Sequence, residues 1–283
     1  MKKRVDTIKE NEEFVKNYDD SKYKKPSVTA DIVIFGMFDS EENNYRKLSQ
    51  KELKVLLIQR DQGPFEGCYA LPGGFVRSNE TIVDAAKREL GEETHVQCDF
   101  LEQFGTYSDP KRDPRRWVIS NGFMALMDAG SINLQAGDDA SDAKWFDVSF
   151  EEAENEWKLQ LSHGEEKIFA RLKNIASRWD VKQKFESVES NDIAFDHQII
   201  IADAIMQLRK WINETHIAFR LLPEKFTFRE LQQIYETVLD TELLVPAFRR
   251  KMAFLVEDTG EVSGDAGHRP AVLYRERDGV DEI

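Results

Sequence analysis

Glu89, Glu92 and Glu93 stand at i, i+3 and i+4 in the stretch Arg88-Glu-Leu-Gly-Glu-Glu-Thr-His-Val96. On a helix this spacing brings three carboxylates to one face, while Ile82, Ala86 and Leu90 line an apolar one. Crowded carboxylates repel one another, and a hard divalent cation, Mg²⁺ or Mn²⁺, is the simplest way to turn that cost into a site. A cation held there can polarise a pyrophosphate oxygen and activate a water. A solvated acidic face is the plain alternative for any three glutamates, so the residues around them decide between the two.

Two other segments carry chemistry. Tyr107-Ser-Asp-Pro-Lys-Arg-Asp-Pro-Arg-Arg-Trp-Val-Ile-Ser120 puts four basic residues and two prolines in one loop. The prolines fix its shape, and its arginines can fork onto phosphates. Arg112 and Arg115 are the candidate phosphate or ribose contacts, with Arg60 a third; a salt-bridged surface loop is the alternative for each. Arg249, Arg250 and Lys251 cluster near the start of a helix that would follow a turn, and Arg269 lies in Gly267-His-Arg-Pro270; all four are candidate DNA contacts. Asp196 and His197 could suggest acid–base chemistry, but an Asp before a long apolar helix reads first as its N-cap.

These residues need a scaffold. Apolar runs at 28–35 and 53–60 read as strands of a hairpin with a long loop, followed by strand patterns near 100–107, 117–127 and 143–148 and a helix over 80–94. Residues 157–172 alternate about a Ser-His-Gly-Glu turn as an added hairpin, and 180–192 read as a polar linker. A helical period resumes over 195–211. Phe226-Thr-Phe-Arg-Glu-Leu231 is a capping box that starts a helix at Thr227 running to about Leu239, and Pro246 suits the first turn of a second helix, 246–254. Strand-like pieces at 255–256 and 271–274 flank a Gly-rich loop, so helix, turn, helix and hairpin describe a winged helix-turn-helix. The expected boundaries are a polar N-terminal extension over 1–25, a first domain over 26–190 with its hairpin near 157–172, a connecting helix over 191–216 and a winged helix domain over 217–283.

Composition narrows the functions. The formal net charge of −14 opposes any general affinity for polyanions, so DNA binding has to rest on local basic features. Cys68 and Cys98 are too few for a disulfide framework and fit a reducing compartment. No apolar run is long enough for a membrane span or a signal peptide, so a cytoplasmic protein without membrane partners is expected.

The segment from Gly74 to Val96 resembles the Nudix box: Gly, five residues, Glu80, seven residues, Arg88-Glu89, an aliphatic, any residue, Glu92-Glu93. The resemblance implies an α+β fold, a Nudix α/β/α sandwich, and metal held by Glu89, Glu92 and Glu93 with the Gly73 carbonyl as a further ligand. It also implies that Arg88 and Glu80 pair structurally, and that a nucleoside diphosphate derivative is hydrolysed by attack of water on phosphorus. His95 replaces the motif glycine and is read as a tolerated helix cap. The general base is not identified; Glu93 is the fallback. The Ser-Asp-Pro and Arg-Asp-Pro-Arg pieces look like those of ADP-ribose pyrophosphatases, which implies ADP-ribose as substrate.

Together with the Phe-Asp-His helix, the Phe-Arg-Arg-Lys helix and the Gly-His-Arg-Pro wing, the chain resembles Nudix-related transcriptional regulators over roughly residues 28–277. That implies a homodimer binding promoter DNA and sensing ADP-ribose or a related nucleoside diphosphate sugar, with NAD or sugar metabolism as its target. Regulators of this kind can dispense with the catalytic carboxylates, yet Glu80, Arg88, Glu89, Glu92 and Glu93 are all present. Metal-dependent hydrolysis is therefore the leading expectation, with an ADP-ribose-sensing regulator of little or no turnover as the alternative.

Overall fold

The computed structural model describes residues 11–40, 50–94, 98, 100–128, 143–154, 156–264, 270–277 and 279. Strand β1, Ser27–Asp39, explains the architecture by its side-chain alternation. Ala30, Ile32 and Ile34 pack into one apolar cluster with Ala86 and Leu90, and Val33, Phe35 and Met37 into another with Ile200, Ile201 and Leu208. A strand covered on both faces is apolar at successive positions, which is why its sequence reads as a continuous run.

The remaining strands build outward. They are β2 (Lys51–Gln59), β3 (Tyr69–Ala70), β4 (Gly73–Phe75), β5 (Leu101–Tyr107), β6 (Val118–Asp128), β7 (Ala143–Ala153), β8 (Glu156–His163), β9 (Glu166–Asn174) and β10 (Phe185–Ser190). The sheet order is β10-β9-β8-β7-β2-β1-β6-β5, with β3 on β2 and β4 on β1. β1 runs parallel to β6 and antiparallel to β2 and β4. A helix over residues 11–17 (α1) lies within the stretch read as an aperiodic extension. Helix α2, Ile82–Thr94, covers one face of the sheet; α3, His197–Glu214, and the C-terminal elements cover the other. This is the expected sandwich.

The alternating hairpin is β8 and β9, with Trp157 opposite Leu172, Leu159 opposite Ala170 and Leu161 opposite Ile168. It extends the main sheet through β7. The stretch 180–192 is not simply a linker: β10 pairs with β9, and Phe185 is buried against Phe150 and Trp157.

After a 3-10 turn at Ile217–Leu221 come β11 (Phe226–Thr227), α4 (Phe228–Leu239), α5 (Val245–Met252), β12 (Val256–Val262) and β13 (Val272–Glu276), a winged helix with strand order β11-β13-β12. The capping box forms: the Glu230 amide donates to Thr227 Oγ1 at 3.2 Å, and the Thr227 amide to Glu230 Oε2 at 2.7 Å. Pro246 sits in the first turn of α5, but that helix ends at Met252 rather than Phe254. The Leu255 amide bonds the Met252 carbonyl and turns the chain into β12. Arg249, Arg250 and Lys251 consequently occupy the last turn of α5, not its start.

The two parts share a core. Apolar residues of β1, β2, α3 and α4 belong to one buried cluster. Arg209 on α3 donates to the Val238 carbonyl of α4 at 3.0 Å and to the Phe150 carbonyl of β7 at 2.9 Å, and Thr237 Oγ1 to the Lys51 carbonyl at 3.0 Å.

Candidate ligand and metal site

Helix α2 is anchored at its start by Thr81 and Asp84, whose side chains bond each other's amides at 3.1 and 3.2 Å. Its apolar stripe fixes the rotation that turns the glutamates towards Gly73 and Gly74 on β4. The backbone requires glycine at Gly73, and at Gly74 the missing Cβ makes room for the Glu89 carboxylate. A Cβ on Gly73, at φ +154°, would lie 2.2 Å from the Ala30 carbonyl oxygen, and one on Gly74 would lie 2.2 Å from Glu89 Oε1. The Gly73 amide donates to Glu93 Oε2 at 2.7 Å.

Arg88 ties the acidic residues together. It bonds Glu80 at 2.7 and 3.0 Å, Glu89 at 2.6 Å and Glu92 at 3.1 Å. The guanidinium holds the Glu80 carboxyl down at about 2. Glu93 behaves oppositely: burial, reinforced by Glu89, Asp31 and Glu92 and opposed by the Gly73 amide, pushes it up to about 7. Glu92 is the outlying member, half-exposed and shared between Arg88 and Arg77.

The donor set fits a hard cation in kind, being carboxylate oxygens against a β4 backbone whose missing Cβ leaves room for Glu89. Among the described residues, no three His, Cys, Asp or Glu side chains already close into a metal cage.

Beside Glu93 opens a cavity of about 220 Å³, lined among others by Asp31, Arg60, Phe75, Arg115, Phe195 and His197. Four of these, Asp31, Phe75, Phe195 and His197, are not among the site residues expected from the sequence, where His197 is weighed only beside a helix cap. Asp31 had left one signal, a lone acid inside an apolar strand. It accepts from Ser120 Oγ at 2.5 Å and from Arg112 at 3.1 Å. His197 accepts the Leu71 amide on Nδ1 at 2.9 Å, which leaves its proton on Nε2, 3.7 Å from Asp31; burial pushes the imidazole pKa down.

The three candidate arginines have different surroundings. Arg112, expected at the phosphates or the ribose, is buried and committed: two bonds to Asp196 at 2.6 and 2.9 Å and one to Asp31. Asp196 does occupy the N-cap position of α3, but it makes no side-chain capping bond, because its carboxylate grips Arg112. Arg115 is paired with Asp113 at 2.7 Å. Arg60 bonds the Pro64 and Gln62 carbonyls and, among the described residues, forms no ion pair, so this half-buried cation in the cavity wall is open to an anion.

In the winged helix Arg249, Arg250 and Lys251 are exposed, with Arg249 5.3 Å from the Phe228 ring centroid. His95 and Arg269 lie outside the described residues.

Comparison with known proteins finds two family matches in the chain. Residues 46–172 match the NUDIX domain and residues 218–275 the NrtR DNA-binding winged helix domain. The ADPR responsive transcriptional repressor NtrR of Acinetobacter baylyi is 32% identical over 266 residues, covering 93% of this chain and 86% of that protein. An ADP-ribose pyrophosphatase of Methanocaldococcus jannaschii is 38% identical over 170 residues, which is 58% of this chain and 86% of that enzyme. The crystal structure of Shewanella oneidensis NrtR complexed with a 27mer DNA superposes with a TM-score of 0.61 at 27% identity, covering 88% of this chain and 93% of that one. A box-bearing sheet and a winged helix in one chain, related along nearly its whole length to such a repressor, place it: the chain belongs to the family of Nudix proteins that carry a C-terminal NrtR winged helix domain.

Proposed function

We propose that this chain is a ligand-responsive DNA-binding regulator whose Nudix pocket takes ADP-ribose or a related nucleoside diphosphate sugar. The order of the sequence expectation is thereby reversed, with regulation first and hydrolysis second. The observation that carries the reading is the extent of similarity: that to the ADPR responsive repressor spans both domains, whereas that to the pyrophosphatase covers 58% of the chain. The cavity gives physical support, since Arg60, a guanidinium with no ion pair among the described residues, beside buried carboxylates suits a ligand combining anionic phosphates with hydroxyls.

DNA would be held through Arg249, Arg250 and Lys251, and through Arg269, which follows β12 and precedes β13 in the sequence, by a homodimer reading two half-sites. The net charge of −14 means that these local cations work against the field of the whole molecule, so binding should be steeply weakened by salt.

Hydrolysis remains the second activity of the same site because the acidic set is complete. Glu89, Glu92, Glu93 and the Gly73 carbonyl would hold Mg²⁺ or Mn²⁺. When bound, the cation supplies Lewis-acid polarisation of a phosphoryl oxygen and a more acidic water. Arg88 keeps Glu89 and Glu92 aligned, Glu80 keeps Arg88 in place, and Arg60 orients the phosphates.

Three measurements on the full chain test the reading. A promoter fragment should be shifted at low salt, ADP-ribose should change that shift, and Arg249→Ala with Arg250→Ala should weaken it. If no genomic fragment is shifted at low salt, the regulator reading falls. ADP-ribose with Mg²⁺ should yield AMP and ribose 5-phosphate if the site turns over, with the yield lost in Glu93→Gln; binding without products removes hydrolysis and leaves sensing.

A further inference from the structure

The residue before the Arg112 clasp partner has an environment of its own. Phe195 is held at φ +56°, a region that a bulky L-residue rarely enters, and it lines the cavity directly ahead of Asp196 and His197. Its ring is not packed as a core side chain is. The Arg60 guanidinium lies 5.0 Å from its centroid and that of Arg115 5.4 Å, while Phe65 meets it edge-on at 4.8 Å. Phe75, exposed on the same rim, is 5.9 Å from Arg115 and 5.7 Å from Arg116. Guanidinium and aromatic groups thus alternate along the cavity mouth from Arg60 through Phe195, Arg115 and Phe75 to Arg116, with the His197 ring 5.3 Å from that of Phe195.

We propose that Phe195 is the platform on which the ligand's heteroaromatic base stacks, the base displacing Arg60 from the ring and Arg60 turning to the diphosphate. The inference rests on the reading of the cavity as a nucleoside diphosphate site. Of the two guanidiniums beside the ring, Arg115 is held by bonds to Asp113, whereas Arg60 is held by backbone carbonyls alone among the described residues and can be exchanged. The exchange costs little on either side. A cation–π contact is replaced by base stacking, and a guanidinium bonded only to carbonyls among the described residues gains a charged acceptor. Phe195 then distinguishes ligands with a base from ligands without one, and favours the larger surface of a purine over a pyrimidine.

The test is calorimetry on the full chain with ADP-ribose, a uridine diphosphate sugar and inorganic pyrophosphate as probes. It is run in EDTA and in Mg²⁺, with the nucleotide checked for turnover afterwards. Phe195→Leu keeps an apolar side chain without a flat face; it should weaken ADP-ribose by about ten- to a hundredfold and leave pyrophosphate unchanged. Arg60→Gln should weaken both. Phe195→Trp, which keeps a flat ring, should bind ADP-ribose at least as tightly as the parent and show ligand-induced fluorescence quenching beyond that of the parent. Three results overturn the proposal while leaving the nucleotide site intact: Phe195→Leu binding ADP-ribose as the parent does, an equal loss for ADP-ribose and pyrophosphate, or no added quenching in Phe195→Trp. If the parent binds neither nucleotide probe in either buffer, the reading of the cavity itself falls, and this proposal with it.

Discussion

Replacing Arg112 by Met should destabilise the protein by about 3–5 kcal/mol, the cost of removing one partner of a buried ion pair. The figure follows from the surroundings. The Arg112 side chain is 4% exposed, and its carboxylate partners Asp31 and Asp196 are 11% and 18% exposed. A Met of similar length fills the space but leaves two poorly hydrated carboxylates facing each other without a cation, and three charge-assisted bonds are lost. The solvent-exposed pairs of Arg171 with Glu189 and Glu156 are the control: Arg171→Met should leave the unfolding midpoint nearly where the parent has it. Urea unfolding followed by circular dichroism supplies both values, and because β1, β2, α3 and α4 share one core a single transition is expected. Adding Asp196→Asn to Arg112→Met should recover part of the loss by removing one orphaned charge. The reasoning is refuted if Arg112→Met unfolds at the parent's midpoint but binds ADP-ribose poorly, for Arg112 would then be a ligand contact and not a clasp.

The two glycines of β4 should respond differently. Gly74→Ala meets only the movable end of Glu89, so it should leave stability nearly intact while weakening Mn²⁺ binding by about ten- to a hundredfold; Gly73→Ala meets the Ala30 backbone at positive φ and should cost about 1–3 kcal/mol of stability. Unchanged Mn²⁺ titrations in Gly74→Ala would remove Glu89 from the metal set. Asp203 gives a pH signature. Burial pushes it up to about 6, opposed by the Tyr107 hydroxyl that donates to it at 3.0 Å and by Lys182. The folded state therefore holds this proton more firmly than the unfolded chain between roughly pH 4 and 6, so its contribution to stability is largest at the acid end and is lost as pH rises through that window. Asp203→Asn, whose amide oxygen can still accept from Tyr107, should gain about 1–3 kcal/mol relative to the parent above pH 6 and nothing near pH 4. A difference that stays flat across that range would contradict the assignment.

What the sequence made legible was whatever one element contains. The three glutamates, Arg88 and Glu80 are spaced along a single loop and helix, so helix geometry alone brings them together; the Thr227–Glu230 capping box is complete within four residues. Contacts closing over long separations were hidden. Arg112 lies 81 residues from Asp31 and 84 from Asp196, and His197 lies 126 from Leu71. No local pattern announces such partners. Asp196 shows how a local preference is overruled, since an N-cap bond to a backbone amide yields to a buried guanidinium that would otherwise be unpaired. β10 was hidden for another reason: as an edge strand it exposes Glu186, Glu189 and Ser190 and buries little beyond Phe185, so its composition is that of a loop. α3 draws these misses together. Read alone it is an apolar helix behind a cap, yet its first residue, His197, and Phe195 two positions ahead of it wall the cavity, and Arg209, three turns further on, bonds both β7 and α4. One rigid element thus touches the candidate ligand site at one end and the winged helix at the other, and only packing, not pattern, assigns it that position.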